Sequence, residues 1–337
     1  MISIRPLIAL DLGGYVTRIT TAAHAPVTED FSVVAYETRT GLAREVGRDA
    51  LRLGAEPGYT TIWPIDNGTV EAYSAAVDML RIFHRKHIRR RLRIRPDVLV
   101  SIPKGASDAT KRAAHDVTLE AIGANVTLID DLLASTLGAG VTPDSDKRPM
   151  LLHIGAGHAT IGLFKDGGIS RSCGLPVGGK RIDALIQRHL EDNHDFAVDL
   201  QVARDIKHTI GSLRDAPTGE WRGSLVDTGF QAHELHLSGA EIQRVVLTAL
   251  APVADEFRRF LKKMPADEWP AGTSNEILMC GGCALLPGID EWLSVQLGAR
   301  VTVLRNSEIT AIHGLSSVLS TLRGKKWTGR PHPPWEA

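Results

Sequence analysis

A strand, a glycine turn and a second strand occur near the start of the chain and again near its middle. The first such segment spans residues 7–19 around Gly13-Gly14, and the second spans residues 150–163 around Gly155-Ala156-Gly157. Runs of β-forming residues flank each turn, which predicts two β-hairpins. Because the same order recurs, the sequence predicts a duplicated architecture with one glycine hairpin in each half.

Glycine turns have a specific use in phosphate binding. Glycines let the backbone come close to a ligand, so that successive N–H groups converge on phosphate oxygens. A third glycine segment, residues 276–293, is an apolar strand that breaks at Gly281-Gly282 before a helical pattern formed by Ile289, Leu293 and Leu297. Each segment alone is also compatible with an ordinary hairpin or βα turn, but the three together favour a nucleotide site.

Composition limits the class of protein. The 337 residues are 43% hydrophobic and 23% charged, with a formal net charge of +0. This predicts a globular chain with room for two domains, and a neutral total gives no reason to expect a specific nucleic-acid partner. The sequence lacks a signal pattern at its start and an apolar run of about 18 residues. We therefore expect a cytoplasmic protein, with the inner face of the cell membrane as a further possible location.

The cysteines Cys173, Cys280 and Cys283 are too few for a disulfide framework. Cys280 and Cys283 have the spacing of a metal-binding or redox pair, but the sequence has no second pair to complete a zinc site. Packing therefore remains the favoured interpretation, with metal or redox use as the alternative.

Several segments, taken in order, resemble the actin superfamily and, within it, the MreB-like bacterial family. Asp11-Leu12-Gly13-Gly14 resembles the first phosphate loop, and Ile154-Gly155-Ala156-Gly157 resembles the second. The run from Cys280 to Gly288 is similar to the adenosine motif of that family. The connecting stretches that add to the resemblance are residues 64–68, 101–105, 128–131 and 206–212.

The resemblance implies an α/β, actin-like fold of two lobes, each a sheet with flanking helices, and a nucleotide cleft between the lobes. The first lobe would comprise residues 1–140 and 314–337, with an inserted subdomain at about 30–65. The second would comprise residues 141–313, with an inserted subdomain at about 185–255.

The resemblance also implies roles for individual residues, with ATP or GTP and Mg²⁺ as cofactors. Asp11 would hold a magnesium-bound water, Asp131 would orient the water that attacks the γ-phosphate, and Lys207 would lie near the adenosine. The alternatives are an exposed carboxylate at a helix start for Asp131 and a solvated helix lysine for Lys207. The implied nucleotide-binding residues are Asp11, Gly13, Gly14, Tyr15, Gly155, Ala156, Gly157, His158, Lys207, Gly281, Gly282 and Cys283.

The chain departs from the family pattern at several of these places. His153 stands where an aspartate usually opens the second phosphate loop, and His158 stands where a small hydroxyl residue is common. Lys180 replaces a usual acidic residue, and the glutamate expected near His208 is missing. Because Mg²⁺ prefers oxygen ligands, His153 is a doubtful metal contact; it would instead bind a phosphate or lie buried at a strand end. We therefore expect nucleotide binding with slow ATP hydrolysis.

Residues 81–95 carry eight Lys or Arg residues interleaved with Ile82, Phe83, Ile88, Leu92 and Ile94. Such a segment can meet an anionic membrane surface, but it can also be a solvated or polymer-contact face, or a nucleic-acid patch.

By resemblance, we expect a cytoskeletal protein that forms filaments of its own copies and acts in cell shape or wall synthesis. Two other functions remain open: a non-polymerising adaptor that recruits membrane or division proteins, and a sugar- or acetate-kinase-type phosphotransferase.

Overall fold

The structure is a computed structural model, and it describes residues 5–21, 26–88, 94–123, 125–142, 148–226, 231–269 and 276–324. The chain divides into two compact units. Unit 1 comprises residues 1–151, 162–174 and 309–337, and unit 2 comprises residues 152–161 and 175–308.

Strands and helices alternate along much of the chain. The strands are β1 Leu7–Leu12, β2 Val16–Thr20, β3 Thr28–Phe31, β4 Val34–Glu37, β5 Ala43–Val46, β6 Tyr59–Ile62, β7 Ile65–Asp66, β8 Thr69–Val70, β9 Asp97–Ile102, β10 Asn125–Asp130, β11 Met150–Ile154, β12 Ala159–Lys165, β13 Gly168–Leu175, β14 Glu220–Val226, β15 Ala232–Ser238, β16 Glu276–Cys280 and β17 Arg300–Val303. The helices are α1 Gly47–Gly54, α2 Tyr73–His87, α3 Asp108–Ala121, α4 Asp131–Gly138, α5 Gly179–His194, α6 Leu200–Ile210, α7 Gly239–Lys262, α8 Ile289–Leu297 and α9 Thr310–Gly324.

Two five-stranded sheets dominate the topology. The first has the order β10-β9-β1-β2-β3, and the second has the order β13-β12-β11-β16-β17. In the first sheet β1 pairs antiparallel with β2 and parallel with β9. Residues 7–19 thus form the predicted strand, turn and strand, and residues 150–163 do the same as β11 and β12.

Unit 1 buries apolar side chains on both faces of its sheet. On one face, helices α2 and α3 contribute to a cluster that includes Leu10, Phe83 and Val100. On the other face, helix α9 places Ile312 and Leu315 in a second cluster, together with residues from β1, β9, β10 and α4. A smaller three-stranded sheet, in the order β5-β4-β6, packs with helix α1.

Unit 2 is built around the long helix α7. Its buried residues, from Ile242 through Val246, Leu250 and Val253 to Phe257, recur every three or four positions and form one apolar stripe. Helices α5, α6 and α8 pack against this helix, and β14 and β15 form a separate antiparallel hairpin.

Among the described residues, no helix is both long enough and apolar enough to cross a membrane. Helix α2 ends at His87, and in the basic segment its apolar residues Ile82 and Phe83, followed by Ile88, are buried in the core of unit 1. Their apolar character therefore serves packing and supplies no lipid-facing surface. Residues 89–93, which contain the arginine run, lie outside the described residues.

Candidate functional site

The first glycine turn, in unit 1, is held by the residues around it. Ser32 Oγ donates to the Gly13 carbonyl at 2.6 Å, and the Ser32 N–H donates to the Tyr15 carbonyl at 2.8 Å. The Tyr15 ring stacks on Trp63 with centroids 5.8 Å apart and also contacts Phe31. The ring of Tyr15 therefore packs against the protein and helps to fix the turn. If Tyr15 contacts a phosphate, it would do so through its backbone.

Asp11 lies at the end of β1, just before this turn, and its carboxylate is oriented from two sides. Ser101 Oγ on β9 donates to Asp11 Oδ1, and Arg18 Nη1 lies 3.8 Å from Asp11 Oδ2. The parallel register of β1 with β9 places Asp11 opposite Ser101, and the hairpin register places it opposite Arg18. A carboxylate held in this way is suited to accept a hydrogen bond from a water on Mg²⁺.

Asp131 begins helix α4 and is 4% exposed. Its Oδ1 accepts the backbone N–H of Lys104 at 2.9 Å and that of Leu132 at 2.6 Å. The neighbouring Asp130 is different, because its Oδ2 accepts a hydrogen bond from Lys104 Nζ at 2.7 Å. The alternative of an exposed carboxylate at a helix start is therefore wrong for Asp131, whose side chain is buried and fixed in direction.

The second glycine turn, in unit 2, is bonded to the start of helix α5. The N–H of Gly179 donates to the Gly155 carbonyl at 3.0 Å, and the N–H of Lys180 donates to the Ala156 carbonyl at 2.7 Å. A Cβ on Gly178 would lie 2.5 Å from the Gly155 carbonyl oxygen, so only glycine permits this approach. The carbonyls of the turn thus accept the first N–H groups of α5 and cap this helix, so the turn and the helix start form one backbone unit.

The side chain of Lys207, on helix α6, also reaches the start of helix α5. Its Nζ donates to the Gly179 carbonyl at 3.2 Å and lies 2.6 Å from Asp183 Oδ1. Arg204 Nη2 lies 3.0 Å from Asp183 Oδ2, so one carboxylate on α5 neutralises two cations of α6. Lys207 is 7% exposed, so the alternative of a solvated helix lysine is wrong.

The third glycine segment closes against the second. Gly281 has φ 92° and ψ 166°, and a Cβ on it would lie 2.3 Å from the Ile154 carbonyl oxygen. Gly282 begins a short 3₁₀ turn, Gly282–Leu285, and a Cβ there would meet open space. Cys283 Sγ donates to the Gly155 carbonyl at 3.4 Å. In unit 2 the structure therefore brings together Gly155, Ala156, Lys207, Gly281 and Cys283.

Both cysteines of this segment are buried, and neither is in a disulfide. Burial raises the pKa of Cys283 to about 11, so this residue is a neutral packing group near pH 7. Cys280 Sγ lies 3.5 Å from His153 Nδ1, and the His153 ring stacks on His158 with centroids 5.4 Å apart. Gly157 completes the turn between the two imidazoles.

Asp183 was missed by sequence analysis. Its helical position beside Ile182, in the buried stripe of α5, was a usable signal, because a carboxylate in an apolar stripe needs a cation. The partners lie 21 and 24 residues further along the chain, so no local pattern identifies them.

Comparisons with known proteins agree with one another. The family model described as MreB/Mbl protein matches residues 5–326. The cell shape-determining protein MreB of Escherichia coli is 28% identical over 306 residues, which cover 88% of each chain. The cell shape-determining protein Mbl of Bacillus subtilis is 24% identical, with 89% of this chain and 91% of Mbl covered.

Solved structures share the fold. MreB 5 of Spiroplasma citri bound to AMPPNP superposes with a TM-score of 0.85 at 24% identity, covering 95% of this chain and 98% of the other. The MamK double helical filament gives a TM-score of 0.79 at 16% identity, with 93% and 98% covered. These matches confirm the predicted actin-like α/β fold. The family match over nearly the whole sequence confirms the resemblance: this chain belongs to the MreB/Mbl family.

Proposed function

We propose that this chain is a nucleotide-binding, actin-like cytoskeletal protein that assembles with its own copies and acts in cell shape. The observation that carries the proposal is the convergence in unit 2 of the Gly155–Ala156 backbone, the start of α5, Lys207 and the Gly281–Gly282 segment. Relatives support it: MreB 5 of S. citri is bound to AMPPNP in one structure and ADP in another, and MamK forms a double helical filament.

Each unit has its own part in the proposal. In unit 2, the backbone N–H groups of Ala156 and Gly157 bind phosphate oxygens, because the Gly155 N–H already donates to the His158 carbonyl, and the open space over Gly282 receives the adenosine. In unit 1, Asp11 holds a magnesium-bound water and Asp131 orients the attacking water. Mg²⁺ fits Asp11, whose carboxylate is oriented, and does not fit His153, whose imidazole offers nitrogen donors.

Nucleotide-dependent assembly tests the proposal directly. Gly282→Leu fills the open space without meeting a neighbouring atom at its Cβ, so we expect a folded protein that no longer binds ATP. Calorimetry should show ATP uptake by the wild type only, and sedimentation with negative-stain microscopy should show filaments that require ATP. Equal ATP affinity in the variant, or no purine nucleotide binding by the wild type, would contradict the site.

Hydrolysis is expected to be slow and to depend on Asp131. In Asp131→Asn, Oδ1 can still accept the N–H groups of Lys104 and Leu132, so the backbone around it is preserved. Loss of the negative charge should reduce phosphate release about 100-fold, the size typical of a general acid–base group. Asp130→Asn is the matched control, because it changes the adjacent carboxylate and should leave the rate near that of the wild type. Equal rates in the two variants would remove Asp131 from catalysis.

Two other functions lead to different results in these assays. A non-polymerising adaptor would bind nucleotide and remain a small species in sedimentation. A sugar- or acetate-kinase-type phosphotransferase would consume ATP only with an acceptor. Nothing in unit 1 or unit 2, as described, specifically favours either one.

Contact with an anionic membrane surface remains a prediction for residues 81–95. In the described part of this segment, Arg81 pairs with Glu120 and Lys86 pairs with Glu45 and Asp49, so these cations already have protein partners. The prediction therefore depends on the other cations of the segment, chiefly the run 89–91, which lies outside the described residues. Pelleting with anionic liposomes should be lost when these three arginines are replaced by glutamate, and unchanged pelleting would contradict lipid contact.

A further inference from the structure

Three metal-ligating side chains meet in unit 2, and the proposed function uses none of them. His189 and His194 lie on the last two turns of α5, and Glu241 lies in the first turn of α7. Glu241 Oε1 is 2.7 Å from His189 Nε2 and 2.6 Å from His194 Nε2. All three side chains are partly buried, with exposed fractions of 21%, 25% and 19% in that order.

The spacing of the donor atoms suits one ion. One ligand atom from each residue lies within 4.8 Å of the other two. Zn²⁺ binds imidazole nitrogen and carboxylate oxygen at about 2.0–2.2 Å, so tetrahedral donors lie roughly 3.3 Å apart. Each imidazole nitrogen must therefore move away from Oε1 by only about 0.6 Å, which side-chain rotation supplies.

The two helices favour this charge arrangement. His194 is the last residue of α5, where the helix carbonyls give a negative end that attracts a cation. Glu241 is near the positive start of α7, and its N–H donates to the N-cap Ser238 Oγ at 3.3 Å. Burial by itself would raise the pKa of Glu241, but hydrogen bonds from His194 and His189 hold that pKa below its ordinary value. The carboxylate is therefore ionised near pH 7.

We propose that His189, His194 and Glu241 bind Zn²⁺ or a chemically similar transition-metal ion. Two imidazole nitrogens and one carboxylate oxygen are a donor set that zinc accepts, whereas Mg²⁺ and Ca²⁺ prefer oxygen throughout. Three protein ligands leave a fourth position for water, and the partial exposure of the cluster gives water access. The bound ion joins the end of α5 to the start of α7.

Binding must displace the protons that the cluster holds. Asn193 Nδ2 donates to the His189 carbonyl at 3.0 Å and lies 3.1 Å from His189 Nδ1. This arrangement leaves the neutral His189 proton on Nε2, where it is shared with Glu241. Zn²⁺ bound at Nε2 therefore moves that proton to Nδ1, and the Asn193 side chain must turn so that its amide oxygen accepts it.

The test is a calorimetric titration of the full chain with Zn²⁺ in the absence of nucleotide. The absorption spectrum of added Co²⁺ provides a second measurement of binding at the same site. We expect the wild type to bind one Zn²⁺ ion tightly per chain. The Kd should rise more than about 100-fold in each of His189→Gln, His194→Gln and Glu241→Gln. Loss of a residue that only supports a metal ligand has a smaller effect, of up to about 100-fold. His236→Gln is the matched control, because His236 is an exposed histidine 3.6 Å from Glu234 in the same unit. It should bind like the wild type.

Two results would overturn the proposal. One is wild-type affinity in all three ligand variants. The other is loss of the ion in Cys280→Ser with retention in the ligand variants, which would place the ion at the His153–Cys280 pair. If a variant fails to fold without metal, NMR of the wild type decides: the imidazole signals of His189 and His194 must be the first to respond to Zn²⁺. Because nucleotide is absent throughout, the outcome is independent of the proposed function.

Discussion

Replacement of Asp183 by alanine is expected to reduce the free energy of unfolding by about 3–5 kcal/mol, the usual effect of removing one partner of a buried ion pair. The Asp183 side chain is 1% exposed, and the side chains alone of its cationic partners Arg204 and Lys207 are 6% and 9% exposed. Without the carboxylate, both cations remain buried and uncompensated. Urea denaturation measures the loss.

A surface pair provides the control for this experiment. Asp192 and Arg188 also form an ion pair within unit 2, but their side chains are 58% and 75% exposed. Asp192→Ala should therefore cost less than about 0.5 kcal/mol. If Asp183→Ala were no more destabilising than Asp192→Ala, the buried carboxylate would not be the structural link between α5 and α6. ATP affinity should fall as well, because Lys207 would lose the contact that fixes its position.

A second large loss of stability, together with loss of ATP binding, is expected for Gly281→Ala. The conformation at φ 92° and ψ 166° is one that essentially only glycine adopts, and forcing alanine into it costs up to about 3 kcal/mol. The added Cβ would also lie 2.3 Å from the Ile154 carbonyl oxygen, so the segment must move away from β11. We expect strong destabilisation in thermal unfolding and loss of ATP binding.

The neighbouring glycine is the matched control. A Cβ on Gly282 meets no atom within 4 Å. Gly282→Ala should therefore keep nearly the stability of the wild type. Equal effects of the two substitutions would show that the approach to Ile154 is not what requires glycine at position 281.

The strands and turns of the site were predictable because their signal is local. Gly13-Gly14 and Gly155-Ala156-Gly157 each interrupt a β-forming run, and the structure places a turn between two strands at both. The prediction that a strand breaks at Gly281-Gly282 before a helix is confirmed by β16, the 3₁₀ turn and α8, which ends at Leu297 and is followed by Gly298 as its C-cap. The order of these glycine segments along the chain then identified the family.

Contacts between distant residues were not predictable in this way. Glu241 is 52 residues from His189 and 47 from His194, so no motif joins them in the sequence. The burial of Asp131 had no local signal either, since a carboxylate at a helix start is usually exposed. Its partner, the N–H of Lys104, comes from a separate connection after β9.

The basic segment shows a different limit. Apolar residues spaced among cations are compatible both with a helix that faces a membrane and with a helix that packs on a sheet. The pattern is the same in either case, and only the position of α2 over β1 and β9 decides that Ile82, Phe83 and Ile88 belong to the core.

The core of unit 1 includes helix α9, which the ribosome synthesises only after unit 2. The α9 residues Ile312, Leu315 and Leu319 pack in one cluster with Ala9 and Leu99, which precede Ile312 by 303 and 213 residues. While the ribosome is still translating unit 2, that face of the first sheet lacks the apolar side chains of α9, and exposed apolar surface of this kind promotes aggregation. A nascent chain stalled before Thr310 should therefore bind chaperones, and the core of unit 1 is completed only after α9 has been synthesised.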